Sequence, residues 1–117
     1  MPPPNVQSDW AAARSAVSGI TLTELFMRSI PRQCASYKRT ATFTNHTIPV
    51  GLLNAHQTKS GTWGKIVVIE GKLLYRILEP NVEEHILDPQ HFGIVEPQVL
   101  HQVEPIGEVS FYVDFHK

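Results

Sequence analysis

Cysteine is nearly absent: Cys34 stands alone among 117 residues. One thiol closes no intrachain disulfide and supplies no zinc ribbon, and its expected role is that of a small apolar residue. Long apolar runs are absent too. The longest fall far short of the roughly 20 residues a membrane-spanning helix needs. No basic stretch precedes one in the manner of a secretory signal. A cytoplasmic setting with no membrane contact is therefore expected. Charge of one sign is also lacking, since ten basic and eleven acidic residues leave a formal net charge of -1. A nucleic-acid partner, which calls for a basic face, is not expected. The sequence signatures of nucleotide and acyl chemistry are missing: there is no phosphate loop, no G-x-G-x-x-G and no G-x-S-x-G. Gly61-Thr62-Trp63-Gly64-Lys65 is glycine-rich, but it leads into a strand pattern. It lacks the helix N-terminus that would cradle a phosphate.

What is present divides into two unequal parts. Residues 1–36 read as an N-terminal extension, partly helical. Pro2-Pro3-Pro4 is extended, Ser8 or Asp9 caps a short helix through Trp10 to Arg14, and Gly19 stops it. Thr21 and Glu24 then form a capping box for a second helix through Leu22, Leu25, Phe26 and Arg28, which ends before Pro31. From Tyr37 to Lys117 the texture is β, with short β-branched and aromatic runs between Gly, Pro and Asn. Strands are expected at Lys38–Phe43, Val50–Ala55, Trp63–Glu70, Leu73–Leu78, Glu84–Leu87, Gly93–Val95, His101–Val103 and Ser110–Phe115, with Gly71-Lys72 as a hairpin turn. In the last of these, Phe111, Val113 and Phe115 share one face and Tyr112 and Asp114 the other. About eight short strands call for an all-β sandwich or barrel that covers their edges.

Six histidines are the unusual count. His56 closes one strand ahead of a loop, and His101 opens another after the Pro97 turn. A small barrel brings such strand ends to one mouth. Two neutral imidazoles with an oxygen donor or two nearby make a plausible divalent-metal site. Glu96, Gln98 and His85 are the nearest further ligands. His85 shares a strand face with Glu83, and it reads either as an inward ligand or as a solvated residue. His46, His91 and His116 are expected at the surface. Trp63 and Lys65 share a face. Trp63 reads as packing or as a ligand platform, and Lys65 as an anion-binding residue or an outward lysine.

The block His56-Gln-Thr-Lys-Ser-Gly-Thr-Trp-Gly-Lys65, with Glu84-His85-Ile86 and Val95-Glu-Pro-Gln98 followed by His101, resembles the N-terminal cupin domain of TehB-type tellurite-resistance proteins. It is also similar to small stand-alone cupins of the YeaR type. The resemblance covers about Tyr37 to Phe115. It implies a cupin (RmlC-like) double-stranded β-helix, or jelly roll, at residues 37–117. It also implies a divalent metal, zinc or iron first and nickel or manganese next, held by His56 and His101. The family's usual H-x-H is here reduced to His56, its glutamate position holds Gly64, and its later glycine fits Gly71. Glu96 and Gln98 stand where replacement donors would be needed.

Three functions remain open on this reading. The first is a metal-dependent enzyme acting on a small or oxyanion substrate. The second is a module that binds a small-molecule or anionic ligand at the barrel mouth in a stress-response setting. The third is a structural or regulatory homodimer. In TehB-type proteins the resemblance assigns methyl transfer to a separate S-adenosylmethionine domain, so methyl transfer is not expected of these residues.

Overall fold

The computed structural model describes residues 29–117. The helices expected before Ile30 lie outside the described residues. The described part is β throughout apart from one helical turn: β1 (Ser36–Arg39), β2 (Phe43–Thr44), α1 (Val50–Leu53), β3 (Trp63–Ile77), β4 (Glu83–Leu87), β5 (Gly93–Val95) and β6 (His101–His116). All pairings are antiparallel. The hydrogen-bonded order is β1-β6-β3-β4, with β2 also on β6 and β5 also on β3.

Several expectations change: Lys38–Phe43 divides between β1 and β2, His101–Val103 and Ser110–Phe115 join in β6, and two further changes shape the site. Residues 63–70 and 73–78 do not form a hairpin. They belong to one 15-residue strand that pairs with the 16-residue β6 from Trp63↔His116 to Ile77↔His101. Gly71 has φ +85°, but it sits where Gly71 faces Val109 and Lys72 faces Ile106, so Gly107 and Glu108 bulge out of register. A glycine with positive φ serves a hairpin turn and a bulge equally well. Asn45 secures this bulge, its N–H donating to the Val109 carbonyl and its Oδ1 accepting from the Val109 N–H. The second change is at Val50–Ala55, where a strand was expected and a helical turn forms. Pro49 precedes the turn and accepts a bond from the Leu52 N–H, and the Asn54 side-chain amide donates to the Val50 carbonyl. Such caps satisfy terminal groups that a strand would have paired in a ladder.

Bending is what makes a core from two long strands. Sixteen residues in a straight strand would span about 50 Å, yet the described residues extend at most 35 Å. Each long strand folds over near the bulges, so its two halves lie in facing layers. The buried residues come from both: Ile66, Val68, Phe111 and Val113 from one, and Leu73, Tyr75, Ile77, Leu87 and Val103 from the other. The alternation Phe111, Val113, Phe115 against Tyr112 and Asp114 stands as expected, since the first three point toward the interior.

Candidate functional site

A cavity of about 330 Å³ opens between the layers. Phe43, Leu52, Val95, Phe111, Val113 and Phe115 supply much of its apolar wall, and Thr40, Thr58, His56 and His101 its polar groups. α1 contributes Pro49, Gly51 and Leu52 to one side. Among the described residues, no lysine, arginine, aspartate or glutamate lines the cavity.

His56 and His101 meet here by backbone design. The His56 N–H donates to the His101 carbonyl and the His101 N–H to the His56 carbonyl, both at 2.9 Å. Directly paired antiparallel residues place their side chains on the same face. The two imidazole centroids accordingly lie 4.1 Å apart. Each ring is also fixed by a carbonyl two residues back: His101 Nδ1 lies 2.8 Å from the Val99 oxygen, and His56 Nδ1 3.2 Å from the Asn54 oxygen. A carbonyl only accepts, so Nδ1 carries the proton in each bond and Nε2 is left with its lone pair. His101 is buried, at 3% exposure. Burial lowers its pKa to about 4, the nearby His56 ring acts in the same direction, and the bond to Val99 opposes them.

The remaining expected site residues fall elsewhere. Glu96 and Gln98 form an exposed turn ahead of β6. Gln98 takes φ 63° there, and its N–H bonds to Thr58. Their contribution is the backbone path that delivers His101. His85 does share a face with Glu83, its Nε2 lying 3.1 Å from Glu83 Oε1. It packs on Tyr75, with centroids 6.2 Å apart, and Tyr75 in turn stands 5.9 Å from His101. Trp63 and Lys65 lie on the face of β3 opposite the cavity-lining Gly64 and Ile66. Lys65 Nζ rests 4.4 Å from the Phe92 ring centre. His46 and His91 are exposed as expected. His116 is half-buried instead, 3.6 Å from Asp114.

Sequence reasoning missed Tyr75, Thr58 and Leu52. Tyr75 was legible as a strand residue, but its place beside two histidines comes from strand pairing. Its hydroxyl donates to the Ile94 carbonyl at 2.9 Å. Tyr75→Phe is expected to cost about 1 kcal/mol in urea unfolding, the usual net value of such a bond. An unchanged midpoint would show that the bond contributes nothing.

The TehB-like domain family model matches residues 38–113. The chain belongs to the TehB-like domain family. Over 76 residues it is 40% identical to the "Probable S-adenosyl-L-methionine-dependent methyltransferase TehB" of two Haemophilus influenzae strains. That match takes in 62% of this chain and 27% of those relatives, so the chain spans about a quarter of their length. The crystal structure of Haemophilus influenzae TehB superposes with a TM-score of 0.68 at 34% identity, over 73% of this chain and 32% of that one. An Escherichia coli K12 protein of known structure, 20% identical, superposes at 0.71 over 78% of this chain and 97% of its own, which shows a shared fold.

The divalent metal expected from the TehB resemblance is corrected by these findings. The relatives' name specifies S-adenosyl-L-methionine and no metal. Among the described residues no group of three or more His, Cys, Asp or Glu is placed to hold an ion. The physical reason is the donor count. Two imidazoles converge, Glu96 and Gln98 turn out to be exposed, and His85 is engaged with Glu83. Protein zinc sites take three or four ligands from the chain. Among the described residues no helix is long and apolar enough to cross a membrane.

Proposed function

We propose that this TehB-like chain is a small-ligand-binding module, built on a cupin-type double-stranded β-helix at residues 37–117 with residues 1–36 as an extension. Its setting would be the tellurite-resistance or stress response that the family resemblance implies. The observation that carries this reading is the cavity of about 330 Å³ with a paired imidazole site in its wall. Pockets that are mainly apolar with a few convergent polar groups are the usual form of small-molecule sites. The binding residues would be His56, His101 and Thr58, with the apolar walls around them. The superposition on Haemophilus influenzae TehB, with a TM-score of 0.68, supports a fold in common with that protein.

Leu52→Trp tests this reading, because Leu52 is half-buried on a one-turn helix at the cavity wall and a larger ring there fills the space. Thermal unfolding would be followed with a set of small apolar compounds and with tellurite. A compound at ten times its Kd should raise the wild-type Tm by roughly 5 °C or more. Leu52→Trp should lose that rise while keeping its own cooperative transition. If no compound stabilises the wild type, or if the variant responds equally, the binding function is refuted.

A further inference from the structure

We propose that the cavity takes a small, uncharged, largely apolar molecule that offers one O–H or N–H group to the Nε2 atoms of His56 and His101, as a phenol does. This rests on the binding function proposed above and narrows its ligand class.

The first observation is the direction of the hydrogen bonds. Val99 and Asn54 carbonyls hold the Nδ1–H of each ring. Among the described residues neither Nε2 makes a hydrogen bond, and both rings line the cavity. The site therefore presents two acceptors side by side and no donor from these rings. Neither Nε2 is among the fully buried unpartnered nitrogens of the described residues, so both are open to the cavity, where an entering donor can take the place of water. The His101 imidazole stays neutral at pH 7, since burial holds it well below its ordinary range.

The second observation is the wall itself. Among the described residues no cationic side chain lines it, and Lys65, the lysine nearest in sequence to Gly64 and Ile66, is turned to the outer face against Phe92. An oxyanion entering here would give up its hydration and meet lone pairs in place of positive charge. An ammonium ion would find no carboxylate among the described lining residues. Phe43, Phe111 and Phe115 instead offer aromatic surface to an apolar body. An apolar cavity of about 150 Å³ is enough to admit benzene, and this one exceeds it at about 330 Å³.

The probes are p-cresol, p-xylene and tellurite, titrated into the full chain and followed by amide shifts at Phe111, Val113 and Val103. Replacing the hydroxyl of p-cresol by the methyl of p-xylene removes the donor at nearly constant size. The wild type should bind p-cresol about tenfold more tightly than p-xylene, as one hydrogen bond provides. In His101→Phe that preference should fall to less than about twofold while p-xylene still binds. His56→Ala provides the same comparison should His101→Phe fail to fold. Long-range proton–nitrogen spectra should show Nε2 as the unprotonated nitrogen of both rings. Equal binding of p-cresol and p-xylene, a protonated Nε2, or tellurite bound at these residues overturns the ligand class and leaves a ligand cavity standing. If neither aromatic probe nor tellurite moves the cavity amides, the binding function fails together with it.

Discussion

Gly71→Ala is expected to lower folding stability by roughly 3–5 kcal/mol, a large part of what a domain of this size possesses. Two costs combine. Gly71 has φ +85°, which an alanine adopts only at about 1–2 kcal/mol. A Cβ at this position would also fall on the Glu108 carbonyl oxygen and within 2.8 Å of Val109 Cα. These are backbone atoms of the paired strand, so no side-chain rotation relieves the clash. Relief requires the two long strands to separate where the bulge bends them, and each ladder bond lost costs about 1 kcal/mol more. Gly107→Ala is the control. It shares a positive φ of 67°, but no atom lies within 4 Å of its added Cβ. It should lose only the conformational cost, about 1 kcal/mol. Urea unfolding followed by circular dichroism measures both. Equal losses in the two variants would show that the close approach at Gly71 is unimportant. The bend also brings His101 and Phe115, at opposite ends of β6, to one cavity. Gly71→Ala should therefore weaken the proposed ligand binding even in the fraction that folds.

Acidification should destabilise the protein through His101, with most of the loss between about pH 6.5 and pH 4. In the unfolded chain this imidazole takes up its proton near pH 6.5. In the folded chain burial delays uptake to about pH 4, and His56 beside it adds to the delay. Between those values the unfolded state binds more protons than the native state, so stability rises with pH and falls as pH is lowered. Each unit is worth about 1.4 kcal/mol, and the window as a whole on the order of 3 kcal/mol. Of the described groups around His101, Tyr75 packs edge-on against it, and no acid or cation among them lines the cavity with it. His101→Phe should flatten the pH dependence of the urea midpoint over this window. Parallel curves for wild type and variant, or a His101 ring that titrates near pH 6.5 by NMR, would disprove the assignment.

The local pattern of the sequence carried much of the fold. Alternation placed Phe111, Val113 and Phe115 on one face, and that face lines the cavity. Pro97 placed the start of β6 at His101, and Glu79-Pro80-Asn81 placed the break between β3 and β4. The resemblance built on His56 to Lys65 named the family that the comparisons show. His56 and His101 could be singled out because both stand at breaks in the strand pattern.

The rest depended on which strand meets which. Gly71 gave no sign of whether it turned a hairpin or bulged a continuous ladder, because a positive φ suits both, and only the partner strand decides. Lys65 and Trp63 belong to a run whose alternation leaves the inward face unnamed until Gly64 and Ile66 are packed against Val95 and Val113. The ligand set of a metal is a matter of distance in space, and it failed because Glu96 and Gln98 lie on an exposed turn. From the sequence alone came the β class, the family and the two histidines. Tertiary structure decided that these histidines share a cavity wall as hydrogen-bond acceptors. The physical reason is that residues far apart along bent strands become neighbours only when the backbone ladder sets their register.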